Sequence, residues 1–323
     1  MKKIAIIGPI HEIGTNFLTR QRCELIEIHD FSKKNLIKNL QDVEGIILRT
    51  AKIDNDIINK CSKLKIIARH GVGYDNLDLT YMSKNNIALG ITGTSNAVSV
   101  AEHVLTCFLY LTKNIHLSDQ LTKKGEFKNK SSLPNFFELY KKNILIFGFG
   151  RIGKALAKRC IGFETNVYVC DPFVSKKEIE DKMCIPIDKI EGIKLADYIS
   201  VHLPLNKNTK NFISNDEFAL MKKSVIIANT ARGGIINELS LINALKDNKI
   251  LGAALDVFEK EPPDQNHPVF KFSNVLLSPH NAALSLECRQ RMAVEAAENI
   301  IYFLTNQKKL NKNNIVNKEQ FNF

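Results

Sequence analysis

The 323-residue sequence has no uninterrupted apolar run long enough to cross a membrane. Its longest, residues 97–111, is broken by Glu102 and His103 and falls short of the roughly 20 residues that a spanning helix needs. The start, Met1-Lys2-Lys3-Ile4-Ala5-Ile6-Ile7-Gly8, is charged, but its apolar stretch is too short for a signal peptide and reads as a first β-strand. No C-x-x-C occurs among the seven cysteines, residues 23, 61, 107, 160, 170, 184 and 288. Their odd number and unpaired spacing argue against a disulfide framework or a zinc site, and for buried thiols in a reducing cytoplasm. No internal repeat of fixed period is present. Lys and Arg outnumber Asp and Glu by 45 to 34, a net +11 that suits an anionic partner. The basic residues are scattered, though, in short pairs such as Lys123-Lys124 and Lys308-Lys309, with no recognition motif beside them. Neither nucleic acid nor a membrane is expected as a partner.

What is present is ordinary globular material: 44% hydrophobic, 24% charged, and length enough for about two domains. Short apolar runs alternate with helical stretches. Runs at 3–7, 24–28, 45–48 and 64–68 are strand-like, each bounded by polar or glycine breaks. A largely apolar helix follows at 99–112, then a polar, lysine-rich segment at 113–132. A second series then runs through 143–147, 166–170, 198–202, 224–229, 251–256 and 274–278, with another strand near Ile185. Strands alternating with helices predict an α/β protein built on doubly wound parallel sheets. Residues 284–303 read as a helix, and the polar tail from Asn306 is expected to end the fold or fray.

The segment Gly148-Phe149-Gly150-Arg151-Ile152-Gly153 follows a predicted strand and opens a predicted helix, with Asp171 placed 18 residues beyond the last glycine. That context turns a weak motif into a dinucleotide fingerprint. The first glycine permits the tight turn, the second lets the backbone approach a pyrophosphate, and the third lets helix and strand pack closely. A carboxylate such as that of Asp171 accepts from ribose hydroxyls and repels a 2′-phosphate, so NAD is expected rather than NADP.

Three further segments fall at the carboxyl ends of strands, where open α/β sheets place ligands: Asn229-Thr230-Ala231-Arg232-Gly233-Gly234, Leu255-Asp256-Val257-Phe258-Glu259-Lys260-Glu261-Pro262, and Ser278-Pro279-His280-Asn281-Ala282-Ala283. Together they offer a guanidinium, a carboxylate and an imidazole. Hydride transfer to a 2-oxo acid needs an arginine to bind the carboxylate and polarise the carbonyl, a histidine to supply the proton, and a carboxylate to orient that histidine.

These segments, with Arg69-His70-Gly71-Val72-Gly73-Tyr74-Asp75-Asn76-Leu77-Asp78, Ser99-Val100-Ala101-Glu102-His103 and Val201-His202-Leu203-Pro204-Leu205, resemble the D-isomer-specific 2-hydroxyacid dehydrogenases over nearly the whole chain, most closely the phosphoglycerate dehydrogenase branch. The resemblance implies that Arg232, Glu261 and His280 are catalytic. It implies that Gly148, Gly150, Arg151, Ile152, Gly153, Asp171, Leu203, Thr230, Ala231 and Asp256 line NAD, with Asp256 near the nicotinamide amide. It further implies a Rossmann NAD-binding domain at 99–284 inserted into a flavodoxin-like substrate domain at 1–98, completed by 285–323. The 99–112 helix and the arm after it are expected to build a homodimer, because so much apolar surface would not sit exposed.

For a small 2-oxo acid, Arg232 and the backbone of Gly71, Val72 and Gly73 suffice. Arg49 and Arg69, at neighbouring strand ends, match arginines of the phosphoglycerate dehydrogenases and would receive a phosphate. The expected substrate is therefore 3-phosphoglycerate, oxidised in serine synthesis. The alternatives are a glyoxylate or hydroxypyruvate reductase, and an NAD-sensing binding protein akin to the C-terminal-binding-protein corepressors. Formate oxidation is disfavoured, since it needs no proton donor in the place of the Glu261 and His280 pair. Two departures stand out. Lys141 lies where many relatives have glycine, a change that a surface turn would absorb, and no tryptophan occurs where Phe136 and Phe137 stand. No regulatory domain follows residue 323, so feedback control through one is not expected.

Overall fold

The computed structural model describes all 323 residues, Met1–Phe323. They divide into two units, Met1–Asn96 with Leu284–Phe323, and Ala97–Ala283, each built on its own parallel sheet.

The first unit holds β1 (Lys3–Ile7), β2 (Glu24–Ile28), β3 (Gly45–Leu48), β4 (Ile66–Arg69) and β5 (Ala88–Gly90), in the order β2-β1-β3-β4-β5. Runs such as Ile4–Ile7 and Gly45–Leu48 are apolar on both faces because helices cover both sides of a parallel sheet. Edge strand β2 is less covered, exposing Glu24 and Glu27. One face is covered by the helices Lys33–Leu40, Asn55–Asn59 and Leu79–Lys84, the other by Glu12–Arg20 and Leu286–Thr305. Asp54, Asp78 and Ser285 start three of these helices by accepting from backbone amides three residues on. The helices Glu12–Arg20 and Leu286–Thr305 touch at Gly14, where any Cβ would lie 2.7 Å from the Ala293 carbonyl oxygen.

Two expectations change here. The three-residue β5 has no signature in the sequence, being too short for a periodicity. The polar tail does not fray: Val316 N donates to the Leu89 carbonyl, Ile91 N to that of Asn314, and Leu89 N to Asn317 Oδ1. Asn314 and Asn317 are buried; the Asn317 side chain answers the backbone at Ile87 and Leu89, and Asn314 Nδ2 donates to Glu295 and Asn299.

The second unit holds β6 (Asn143–Phe147), β7 (Asn166–Cys170), β8 (Ile185–Pro186), β9 (Tyr198–Val201), β10 (Ile226–Asn229), β11 (Gly252–Leu255) and β12 (Val275–Leu277). Their order, β12-β11-β10-β9-β6-β7-β8, reverses direction between β6 and β9. Much of the apolar side of the helix Ala97–Lys113 is covered within its own unit. Ala101, Val104, Leu105 and Phe108 are buried inside this unit, against the helix Arg151–Gly162 and the β10–β11 face. The helix is apolar because the sheet beneath it must be covered. Val98 on this helix is exposed, and further exposed apolar side chains lie along the arm at Ile115, Phe127 and Phe136. Lys141, exposed in a turn, has φ +56° and so adopts the left-handed conformation that glycine favours. All seven cysteines are free, and six are buried. No helix is long and apolar enough to cross a membrane.

Candidate active site

The turn after β6 lies at the point where the strand order reverses, which is where an open sheet leaves a crevice. Its three glycines have three different surroundings. Gly148 sits at φ +91°, and a Cβ there would lie 2.6 Å from the His202 carbonyl oxygen. Gly150 caps the helix Arg151–Gly162 and faces open space, with no atom within 4 Å of the Cβ position. Gly153 is pressed against the Gly148 carbonyl. Arg151 is exposed and Ile152 half-buried in the first turn of that helix. Asp171, immediately after β7, accepts from Phe149 N at 2.7 Å and from Phe173 N at 2.9 Å. Its carboxylate is thus fixed to the glycine turn while some of its roughly four acceptor positions stay open. Leu203 follows β9, and Ala231 follows β10 beside Thr230, whose hydroxyl is buried and unpartnered. An open backbone cradle at a helix N-terminus, a tethered carboxylate and an unmet hydroxyl together fit a dinucleotide.

Arg232, Glu261 and His280 follow β10, β11 and β12, three neighbours in the sheet. Asn229 shapes the first of these turns, donating to the Arg232 carbonyl at 2.9 Å and accepting from Ala231 N at 3.0 Å. Arg232 donates through Nη1 to the Ala231 carbonyl at 2.6 Å. Gly233 lies so close to the Phe258 carbonyl that no Cβ fits, and this apposition stacks the Arg232 turn on the Glu261 turn. Glu261 Oε1 accepts from Phe258 N at 3.1 Å, and Oε2 lies 2.7 Å from His280 Nδ1. The pairing leaves His280 Nε2 to face outward, on a side chain 50% exposed. An oriented imidazole with one nitrogen on a carboxylate and the other open is the geometry of a proton donor.

His280 itself adopts φ +51°, a conformation that costs a non-glycine residue about 1–2 kcal/mol. Asp256 supports it. The Asp256 carbonyl accepts from His280 N at 2.8 Å, and the buried carboxylate accepts from Ser278 Oγ at 2.6 Å, Asn281 N at 2.8 Å and Ala282 N at 3.0 Å. Three of its roughly four acceptor positions are therefore taken by the loop that carries His280. Asp256 thus serves that loop, a role that the sequence did not assign to it.

The other expected site residues belong to the first unit. Arg69 does not present the open guanidinium expected of a phosphate receptor. Its Nε donates to the Gly73 carbonyl at 2.8 Å, and its Nη1 to the carbonyls of Leu48, at 3.0 Å, and Arg49. A strand-end arginine beside a glycine-rich loop has main-chain carbonyls within reach, and here it clasps that loop to the end of β3. Arg49 makes only a 3.5 Å contact to the Pro9 carbonyl. Gly71, at φ +148°, has open space around its Cβ position, and the amides of Gly71, Val72 and Gly73 donate to no main-chain acceptor. Beside this loop His70 is buried with Nε2 unpartnered; burial, and then the Arg49 guanidinium, push its pKa down to about 4. In the second unit burial likewise pushes His202 down to about 4.

Four contributors were not assigned roles from sequence: Ser99, His103, Asn229 and Ser278. Each lies in a segment that the sequence singles out, but only coordinates reveal which neighbour it touches.

Comparison with known proteins bears on what this site belongs to. Residues 105–282 match the family model described as D-isomer specific 2-hydroxyacid dehydrogenase, NAD binding domain. The chain is 35% identical over 300 residues to D-3-phosphoglycerate dehydrogenase of Archaeoglobus fulgidus, covering 93% of this chain and 56% of that protein. It thus spans little more than half the length of that relative. Over 314 residues it is also 35% identical to glyoxylate reductase of Thermofilum pendens, covering 94% of this chain and 91% of the relative. Among solved structures, D-lactate dehydrogenase from Aquifex aeolicus, complexed with NAD and lactic acid, superposes with a TM-score of 0.86 at 26% identity, covering 97% and 98% of the two chains.

Proposed function

The chain belongs to the D-isomer-specific 2-hydroxyacid dehydrogenase family and carries that family's NAD-binding domain, and from this premise we propose that it interconverts a D-2-hydroxy acid and its 2-oxo acid. The observation that carries the proposal is the placement of Arg232 and the Glu261–His280 pair after three adjacent strands, beside a cradle that fits a dinucleotide. NAD, when bound, supplies or takes up the hydride. Arg232 binds the substrate carboxylate and polarises its carbonyl. His280 gives its Nε2 proton to the forming hydroxyl during reduction, and Glu261 holds the ring in register through Nδ1. Asp171 would accept from the ribose hydroxyls of NAD, and the buried, unpartnered hydroxyl of Thr230 would be a further polar contact for the cofactor.

Within that reaction class, 3-phosphoglycerate is supported by the Archaeoglobus relative and by Arg49, whose guanidinium is largely uncommitted. The second reading is glyoxylate or hydroxypyruvate reduction. The engagement of Arg69 with three carbonyls favours it, since one fewer cation then awaits a phosphate, and so does the Thermofilum relative. The free cysteines suit a reducing cytoplasm, and exposed Ile115, Phe127 and Phe136 suit a homodimer contact on the arm. The test is NADH consumption with glyoxylate, hydroxypyruvate and 3-phosphohydroxypyruvate. A kcat/KM at least tenfold higher for the phosphorylated acid decides for phosphoglycerate, and the reverse decides for the small acids. Binding of NADH without turnover of any oxo acid rejects the enzyme in favour of a dinucleotide-sensing protein.

A further inference from the structure

Ser99 and His103 lie one helical turn apart, so their side chains share a face of the helix Ala97–Lys113. That face meets the loop 278–282 at both ends. Ser99 Oγ donates to the Ala282 carbonyl at 2.7 Å, and His103 Nε2 lies 3.1 Å from Ser278 Oγ. Ser278 has a single hydroxyl hydrogen, and it is donated to the Asp256 carboxylate. At Ser278, His103 is therefore the donor, and its proton sits on Nε2. His103 and Ser278 form one directed chain that ends on the Asp256 carboxylate, which also accepts from the amides of Asn281 and Ala282, while the Asp256 carbonyl accepts from His280 N. Between these anchors His280 is kept at φ +51°, a conformation that persists only where surrounding contacts over-determine it.

We propose that Ser99 and His103, acting through Ser278 and Asp256, are positioning residues that clamp the His280 loop and so aim His280 Nε2 at the substrate. This rests on the proton-transfer role given to His280 above. A purely packing role predicts that His103→Leu, an apolar filling on an apolar helix, is harmless. The clamp predicts otherwise. His103→Leu and Ser278→Ala each lower kcat for oxo-acid reduction by about tenfold while leaving the KM for NADH nearly unchanged, since supporting hydrogen bonds act on geometry rather than on cofactor affinity. His103→Gln, whose amide N–H reaches the same hydroxyl, recovers most of the turnover. The double variant loses no more than the worse single one, because both break one chain. Wild-type kcat in His103→Leu, or Gln no better than Leu, overturns the proposal.

A second readout needs no turnover. In protein labelled with nitrogen-15 histidine, ring couplings report His103 as the Nε2–H tautomer, and Ser278→Ala speeds hydrogen exchange at the Asn281 and Ala282 amides without a general loss of protection. An Nδ1–H tautomer, or unchanged exchange at those amides, overturns the clamp. If no oxo acid is reduced yet both signatures appear, the activity proposed above falls while the clamp stands.

Discussion

The two units treat their chemistry-bearing side chains differently. In the second unit the groups that the motifs point to are held by the backbone and left with one face open. Glu261 is pinned by Phe258 N and offers its second oxygen to His280, and Asp171 is pinned by Phe149 N. In the first unit the conspicuous cation, Arg69, is turned inward onto the carbonyls of Leu48, Arg49 and Gly73. The difference lies in which polar groups the main chain leaves unmet. The turn after β10 closes on itself through Asn229, and the Asp256 carboxylate, just after β11, holds the turn after β12. The loop after β4 does not close on itself, and Arg69 does the closing.

The largest effect expected from that contrast is on turnover. His280→Ala removes the proton donor and is expected to lower kcat for oxo-acid reduction by about 10²–10⁴ while leaving NADH affinity nearly intact, since general acid catalysis is worth that much. Glu261→Gln keeps the bond from Phe258 N but loses the carboxylate at His280 Nδ1, and a smaller loss is expected. Steady-state kinetics with fluorescence titration of NADH checks both. A loss below threefold in His280→Ala removes the histidine from the mechanism.

Acid separates the units next, by stability rather than rate. His70 in the first and His202 in the second are both held at about 4 by burial, against about 6.5 for an unfolded histidine. The unfolded chain takes up these protons first, so stability is intact above about pH 6.5 and falls as pH drops toward 4. The loss reaches on the order of 3 kcal/mol per histidine at the bottom of that window. His70→Phe is expected to blunt the acid loss of the first unit and His202→Gln that of the second, read as Tm against pH. Parallel curves for wild type and both variants would show that other groups dominate.

Arg69 and Arg49 sharpen the comparison inside the first unit. Arg69→Ala strips donors from three carbonyls and is expected to cost about 2 kcal/mol of stability, the scale of hydrogen bonds to a charged group. Arg69→Lys restores little, because a point ammonium cannot span the three. Arg49→Ala is expected to leave Tm nearly unchanged and to raise KM for the oxo acid. Thermal denaturation of the three variants, with KM for glyoxylate and the phosphorylated acid, separates clasp from receptor.

These contrasts also account for what could be read in advance. Both parallel sheets were legible because buried strands such as Asn143–Phe147 and Gly45–Leu48 are continuous apolar runs between glycine and polar breaks. The segments that hold Arg232, Glu261 and His280 were legible as strand ends, which are local features, and the choice of these three residues within them is what the family resemblance implies. The fate of Arg69, the burial of Asn314 and Asn317, and the contacts of Ser99 and His103 were not legible. Each depends on a partner far away in sequence, such as Asn317 with Leu89, and no local pattern encodes that pairing. The apolar helix Ala97–Lys113 was legible as a helix, but not that Ala101, Val104, Leu105 and Phe108 are covered within its own unit, because composition does not say which neighbour packs there.

Lys141 offers the smallest effect and the cleanest one, since the residue is exposed and lies in a turn of the second unit. At φ +56° a residue with a Cβ is strained by about 1–2 kcal/mol relative to glycine. Glycine relieves that strain but adds freedom to the unfolded chain, worth about 0.4–1 kcal/mol in the other direction. It also gives up the lysine ammonium that lies 5.0 Å from the centre of the Tyr140 ring, an exposed contact worth at most about 0.5–1 kcal/mol. The balance for Lys141→Gly is a gain of about 0.5 kcal/mol, or a rise in Tm of about 1–2 °C for a protein of this size. Lys141→Ala separates the terms, because it drops the contact with Tyr140 and keeps the strain. Alanine is therefore expected to be slightly less stable than wild type and glycine slightly more. If glycine instead melts below alanine by the roughly 0.4–1 kcal/mol of added unfolded-state freedom, the turn stores no strain, and the left-handed backbone at Lys141 costs the fold nothing.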